Sequence, residues 1–225
     1  RWGAVIAGAL TAAQFGVLAF AMAGRADHHM LFALIAVLAL GALIRALAGP
    51  GNGNGDEGGG KHAPMAGLLL ATGVWVGPEM MILAGLGLAA AGFKWVACED
   101  GSRRLNVRLA AGLALGLAVA MLVERGTQGY FGVEYDRISV VYLIPMVLIW
   151  GFWGSVSVVQ GRGLLDVPAR RLGAGVTGAV LVAGMSLMLF PRMAEGPMAG
   201  SDPEWFAVWG WISESGSLDD VPHFL

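Results

Sequence analysis

The stretch AGLLLATGVWVGPEMMILAGLGLAAAGFKWV, residues 66–96, decides how this polypeptide folds. It is longer than one upright membrane helix needs, since about 20 apolar residues cross the hydrocarbon core. Gly77-Pro78 interrupts it, and proline inside a helix removes a hydrogen bond and clashes with the preceding turn. The segment is therefore either one tilted helix or a pair of short helices broken at Gly77-Pro78.

The composition of the whole chain is that of an integral membrane protein. Of its 225 residues 56% are hydrophobic and 13% are charged, whereas a soluble domain carries about 25% charged residues. The 36 glycines suit transmembrane helices that approach closely through small residues. The single cysteine, Cys98, excludes an internal disulfide and a thiolate metal cluster. A net charge of -2 predicts no nucleic-acid partner.

Further apolar runs flank the interrupted segment. We predict membrane helices over residues 2–23, 31–48, 109–123, 138–159 and 172–190. The predicted fold is all-α, a polytopic transmembrane bundle of about five full spans plus the broken or hairpin segment, within residues 1–190. Residues 191–225 contain Trp205, Trp209 and Trp211, and tryptophan favours the membrane interface, so they are predicted to form an interfacial tail or loop.

The charge distribution favours the hairpin over the tilted helix. With a hairpin, Arg1 and the loops 45–65, 94–108 and 160–171 hold ten of the fourteen lysines and arginines on one side, while a single crossing gives six against eight. Because cytoplasmic loops carry the excess of positive charge, these loops are predicted to be cytoplasmic. Eleven of the sixteen carboxylates then share the opposite, non-cytoplasmic side. Such a side suits a hard divalent cation, although acidic loops are also often simply solvated.

The turn Gly24-Arg25-Ala26-Asp27-His28-His29-Met30 puts ionisable residues between two apolar runs. Asp27 and His29 are two residues apart, so in an extended turn they would point the same way and could share one metal ion. The alternative is a polar turn in which Asp27 caps the next helix. Asp-His-His also begins the signature of membrane palmitoyltransferases, but the nucleophilic cysteine that must follow is replaced here by Met30.

Two further sites carry charge on the predicted non-cytoplasmic side. Glu79 lies at the hairpin tip, where a carboxylate needs water, a cation or a partner. The next loop on that side holds Glu124, Arg125, Glu134, Asp136 and Arg137. Internal pairing that shapes this loop is the favoured interpretation, but the Arg137 guanidinium also suits the paired oxygens of a lipid phosphate.

Taken in order, these motifs resemble the catalytic-subunit family of oligosaccharyltransferases, polytopic glycosyltransferases of the GT-C type. Residues 24–29 match the family's second acidic motif, Gly-x-x-Asp-x-Asp/Glu/His, with Asp27 and His29 on its two acidic positions. Trp211-Ile212-Ser213-Glu214 looks like the later Thr/Ser-Ile/Val-x-Glu motif, with tryptophan in place of the hydroxyl residue. The family's first acidic motif and its soluble C-terminal domain have no counterpart, so we expect the chain to be the central membrane portion of a longer polypeptide.

The resemblance implies a function and a set of site residues. A divalent metal, Mn or Mg, would be bound by Asp27, His29 and Glu214, with Asp27 and Glu214 as the catalytic pair. Arg25, His28, Glu79 and Arg137 would bind substrate. A sugar would pass from a polyprenyl-linked phosphate or diphosphate donor, a membrane lipid, to a protein acceptor at the non-cytoplasmic face of a bacterial or archaeal-like inner or plasma membrane. The sequence leaves open a non-enzymatic membrane subunit or transporter-like protein of a larger complex, in which the 27–29 turn is structural.

Overall fold

The computed structural model describes residues 29–49, 60–98, 102–127, 129–135 and 137–195. Its helices are α1 (His29–Ala48), α2 (His62–Val76), α3 (Met80–Ala97), α4 (Ser102–Arg125), α5 (Val140–Gly161) and α6 (Pro168–Leu189), followed by a 3-10 turn, Pro191–Glu195. Every one of these six helices except α2 is long and apolar enough to cross a membrane. The predicted helical membrane bundle is confirmed for this part of the chain. The predicted span 2–23 and most of the predicted tail lie outside it.

α2 and α3 form the predicted hairpin. α2 ends at Val76, and α3 begins at Met80 after a turn that contains Gly77 and Pro78. A Cβ atom on Gly87 would lie 3.8 Å from a methyl carbon of Leu70. In one continuous helix these two residues would be separated by about 25 Å, at ~1.5 Å per residue. α3 therefore folds back along α2, and the tilted-helix alternative is wrong.

Contacts between helix ends show that successive helices alternate in direction. Lys94, near the end of α3, donates from Nζ to the carbonyl oxygen of Gly49, which follows α1, over 3.2 Å. Asn106 in α4 donates to the carbonyl oxygen of Ala91 in α3 over 3.0 Å. The last turns of α1 and α3 thus share one end of the bundle with the beginning of α4.

The two ends of the bundle differ in charge. We call one the basic end, because nine of the twelve described lysines and arginines lie there: Arg45, Lys61, Lys94, Arg103, Arg104, Arg108, Arg162, Arg170 and Arg171. We call the other the acidic end, which holds four of the five described carboxylates: Glu79, Glu124, Glu134 and Glu195. The described residues therefore reproduce the asymmetry on which the hairpin prediction depended.

Small residues let α2 lie directly against α4. Each helix carries a stripe of them at four-residue spacing, namely Ala63, Gly67 and Ala71 on α2 and Gly112, Gly116 and Ala120 on α4. A Cβ atom added to Gly67 would be 2.3 Å from the carbonyl oxygen of Leu109, and one on Gly112 would be 2.4 Å from that of Pro64. This close backbone approach is the usual mode of helix packing in membranes.

The beginning of α4 differs from the prediction. The helix starts at Ser102, whereas the apolar run predicted a start at residue 109. The three arginines at 103, 104 and 108 lower the hydropathy of its first turns, but they lie at the basic end, where long cationic side chains reach the polar interface. Hydropathy therefore locates the apolar part of α4 but not the residue at which the helix begins.

Candidate functional site

Three of the predicted site residues lie at the acidic end. α1 begins at His29, the α2–α3 turn holds Glu79, and the α4–α5 loop holds Arg137. A Cβ atom on Gly77 would lie 3.4 Å from the ring of Phe32, so the first turn of α1 adjoins the hairpin tip. Asp27 and Glu214, with the substrate-binding candidates Arg25 and His28, lie outside the described residues.

A bidentate ion pair organises the α4–α5 loop. Arg125, the last residue of α4, donates from Nη1 and Nη2 to the two carboxylate oxygens of Glu134 over 2.9 and 2.7 Å. Its Nε donates to the carbonyl oxygen of Ile138 over 2.7 Å. The Arg125 side chain is only 9% exposed, and paired hydrogen bonds of this kind are among the stronger ones in proteins. One guanidinium therefore ties the middle and the end of the loop to α4.

Glu134 is held in its ionised form by its neighbours. Hydrogen bonding to Arg125 is the main cause of its lowered pKa, and Arg137, whose Nε also donates to Glu134, adds to the effect, while partial burial opposes it. Internal pairing of the loop charges is therefore confirmed for these three residues, whereas Asp136 lies outside the described part. Arg137 itself is 62% exposed, so its predicted contact with a phosphate is sterically open.

Backbone-directed hydrogen bonds hold the rest of the loop. The hydroxyl of Tyr130 donates to the carbonyl oxygen of Ala118 over 3.2 Å. The hydroxyl of Tyr142 donates to the carbonyl oxygen of Tyr135. Ser139 caps α5, since its Oγ accepts from the backbone N–H of Val141 over 3.2 Å. The loop is thus attached at many points and offers a fixed surface at the acidic end.

The two carboxylates nearest the hairpin differ in their environment. Glu124 accepts a hydrogen bond from Trp75 Nε1 over 2.8 Å, which joins the end of α2 to the end of α4. Glu79 occupies the N-cap position of α3, is exposed, and makes no side-chain capping hydrogen bond. Glu124 thus has a structural contact, and Glu79 stays a candidate for binding substrate.

The predicted metal site cannot be assembled from described residues alone. Among them, no three side chains of histidine, cysteine, aspartate or glutamate come close enough together to hold a metal ion. Of the predicted ligands only His29 belongs to a described helix, as its first residue. The metal site stays a prediction.

One feature of the bundle was not predicted from the sequence. A groove with a volume of about 840 Å³ runs between α3, α5 and α6, and aromatic rings of Trp95, Phe152 and Trp153 line it. Its lining residues are separated by up to about a hundred positions along the chain. The one local signal is the alternation of glycine with large aromatic residues near positions 92–95 and 151–153.

Comparison with protein-family models, with curated proteins and with solved structures gives no match to the chain. Its function is therefore inferred from its own residues, chiefly those of the acidic end.

Proposed function

We propose that this chain is the central membrane portion of a GT-C-type glycosyltransferase, similar to the catalytic subunit of oligosaccharyltransferases. It would transfer a sugar from a polyprenyl-linked phosphate or diphosphate at the acidic end of the bundle. Because positive charge marks the cytoplasmic side, the acidic end would face away from the cytoplasm.

The proposal rests chiefly on the location of two residues, His29 and Glu195. An even number of helices separates them, and both lie at the acidic end. The motif at 27–29 ends at the first of these residues, and Glu214 follows the second by 19 residues. Both motifs therefore connect to the bundle at the same end, as a shared site requires.

The proposed ligands fit a divalent metal by their chemistry. Asp27 and Glu214 supply carboxylate oxygens, which Mg and Mn prefer, and the imidazole of His29 is a ligand that favours Mn of the two. When bound, such an ion offsets the negative charge that develops on a departing phosphate group. The four described carboxylates at this end disfavour a bare diphosphate, so cationic groups are needed to bind one.

Arg137 is the described cation best suited to help. Its guanidinium is exposed, and its Nε contact with Glu134 fixes the side chain at the end of a loop that is itself tied to α4. Arg125 is almost fully buried and bidentate to Glu134, so its part is to position the loop. Glu79, on the neighbouring turn, would contact the polar part of donor or acceptor.

A non-enzymatic membrane subunit is the second candidate. It is favoured by the internal pairing at the acidic end, where Arg125 and Arg137 both donate to Glu134 and Trp75 donates to Glu124. In that case Asp27 would cap α1, and neither a metal nor a diphosphate would bind.

Binding of Mn²⁺ by the intact membrane protein separates the two candidates. Electron paramagnetic resonance of free Mn²⁺ gives the affinity, and transfer of sugar from a polyprenyl diphosphate donor is measured on the same samples. Removing a metal ligand by Asp27→Asn or Glu214→Gln is expected to weaken Mn²⁺ binding by at least about tenfold. Loss of a residue that only orients a ligand already lowers metal affinity by about 10–100-fold, so loss of a ligand itself should cost at least as much. Both variants should also lose metal-dependent transfer.

Glu195→Gln is the matched control. It removes one carboxylate from the same end, and its only described partner is the exposed Arg192, at 3.4 Å. It should bind Mn²⁺ like the unchanged protein. Equal Mn²⁺ affinity in the Asp27, Glu214 and Glu195 variants would refute the metal site, transfer that persists without metal would refute its role in catalysis, and no transfer by the unchanged protein with Mn²⁺ present would refute the enzyme.

A further inference from the structure

The groove between α3, α5 and α6 is long, apolar and open along the bundle. On α6 its lining extends from Leu172 to Leu187, a distance of about 22 Å at ~1.5 Å rise per residue. That exceeds the thickness of one leaflet, which is about half of a ~30 Å hydrocarbon core. Its volume of about 840 Å³ is within the range of sites that bury most of a small molecule.

The groove exists because α6 touches its neighbours at few points. α6 buries only Arg171, Gly178 and Ser186. At Gly178 the contact with α5 is close, since a Cβ atom there would be 2.2 Å from the ring of Phe152. Residues on both sides of this contact, such as Gly175 and Val182, line the groove together with the rings of Trp95 and Trp153.

The lining suits a hydrocarbon chain and not water. Ser186 contributes the only hydroxyl group of the lining, and its Oγ already donates to the carbonyl oxygen of Val182 over 2.7 Å. The indole N–H of Trp95 is likewise used, because it donates to Gln160 over 2.8 Å. Water in a cavity needs two to four polar partners, which these residues do not offer.

The two mouths of the groove differ in charge. At the basic end, α6 begins with Arg170 and Arg171, directly before the lining residue Leu172. Arg171 is 2% exposed, its Nη1 donates to the carbonyl oxygen of Trp95 over 3.0 Å, and its Nε is buried with no hydrogen-bond partner. Arg171 is therefore packed into the interior at this end, and the neighbouring Arg170, whose side chain is exposed, is the guanidinium that a phosphate can reach.

The first turn of α6 adds to this attraction. The positive end of the helix dipole lies there, beside Arg170 and Arg171. Basic pockets between transmembrane helices on the cytoplasmic side are the usual sites for anionic lipid headgroups. At the other mouth, Met193 lies between Arg192 and Glu195, which pair with each other.

We propose that the groove binds an acyl chain of an anionic phospholipid, with the phosphate at the basic end beside Arg170 and Arg171. This lipid is distinct from the sugar donor, whose proposed site lies at the acidic end. The bound lipid would fill the space that α6 leaves against α3 and α5.

Native mass spectrometry of the full chain, released from nanodiscs that contain equal amounts of phosphatidylglycerol and phosphatidylcholine with the same acyl chains, tests the proposal. We expect one retained phosphatidylglycerol per chain and little phosphatidylcholine. Gly175→Leu fills the groove, because Gly175 lines it and a Cβ atom there would be 3.8 Å from Trp95. Retention should fall at least about tenfold, as expected when about two methylene contacts are lost.

Gly173→Leu is the matched control, since Gly173 is on the same helix and a Cβ atom there would meet nothing within 4 Å. It should retain phosphatidylglycerol like the unchanged protein. Equal retention by the two glycine variants would overturn the groove site. Arg170→Gln should remove the preference for phosphatidylglycerol, and Arg192→Gln, which changes an exposed arginine at the other end, should not. Equal retention of both lipids by the unchanged protein would overturn the headgroup assignment.

Discussion

Replacing Gly67 by alanine should weaken the pairing of α2 with α4, which is the most closely packed contact of the bundle. The added methyl carbon would lie 2.3 Å from the carbonyl oxygen of Leu109 and 2.6 Å from the backbone nitrogen of Leu113. Both are backbone atoms, so rotation of a side chain cannot relieve the clash. Ordinary contact begins near 3.4 Å, and α2 must therefore move away from α4 by about 1 Å near this position.

A displacement of this size weakens many contacts at once. Buried residues on both sides of the interface, such as Leu70 on α2 and Leu113 and Leu117 on α4, would lose close packing. When two atoms move apart by ~0.5–1 Å, they lose about a quarter to a half of their dispersion energy. Overpacking in well-packed cores typically costs about 1–3 kcal/mol, and that is the loss of unfolding free energy expected for Gly67→Ala.

Thermal unfolding in detergent, followed by circular dichroism, measures the effect. For a chain of this length each kcal/mol shifts Tm by about 2–4 °C, so Gly67→Ala should lower Tm by roughly 2–12 °C. Gly85→Ala is the control, because a Cβ atom on Gly85 would meet nothing within 4 Å and alanine favours the helix. A Tm for Gly67→Ala equal to or above that of Gly85→Ala would refute the close contact of α2 and α4.

Two further predictions concern the loop at the acidic end and the orientation of the bundle. Glu134→Gln should lower the unfolding free energy by about 1–2 kcal/mol, since it breaks the bidentate pair with Arg125 while Glu134 itself is about a third exposed to screening solvent. Because the pKa of Glu134 is lowered in the folded protein, this stabilisation is present above the ordinary glutamate pKa of about 4.3 and is lost as the pH falls through the lower folded value. The Tm values of the unchanged protein and of Glu134→Gln should therefore converge in acid. A difference in Tm that stays constant with pH would contradict the ion pair. The exposed Cys98 lies at the basic end, so a membrane-impermeant maleimide should label it from the cytoplasmic side of sealed vesicles, and labelling only from the opposite side would reverse the proposed orientation.

The sequence predicted those parts of the fold that depend on hydropathy and charge. The break at Gly77-Pro78 and the return of the chain to the basic end follow from one proline and from the count of lysines and arginines. The start of α4 at Ser102 was not predicted, because the arginines in its first turns lower the hydropathy there below that of the apolar run that follows. The pairing of α2 with α4 was equally hidden, since α3 separates them in sequence and many glycines elsewhere touch nothing, as Gly85 and Gly151 do.

Only those features of the site that depend on residues close together in sequence could be predicted. Internal pairing in the α4–α5 loop was expected from opposite charges close in sequence, but the bidentate geometry depends on Arg125 being buried at the end of α4. The groove depends on how three helices are placed against one another, and no local sequence pattern specifies that placement.

The charge difference between the two ends gives the two proposed sites different requirements. The acidic end holds Glu79, Glu124 and Glu134, so a phosphate-bearing donor would be repelled there unless a divalent ion offsets the carboxylates. At the basic end the phosphate of a lipid would meet the exposed Arg170 directly, and no metal is needed. Sugar transfer should therefore depend on Mn²⁺ or Mg²⁺ while lipid retention survives chelation. This difference follows from the location of the two proposed sites at opposite ends of the bundle.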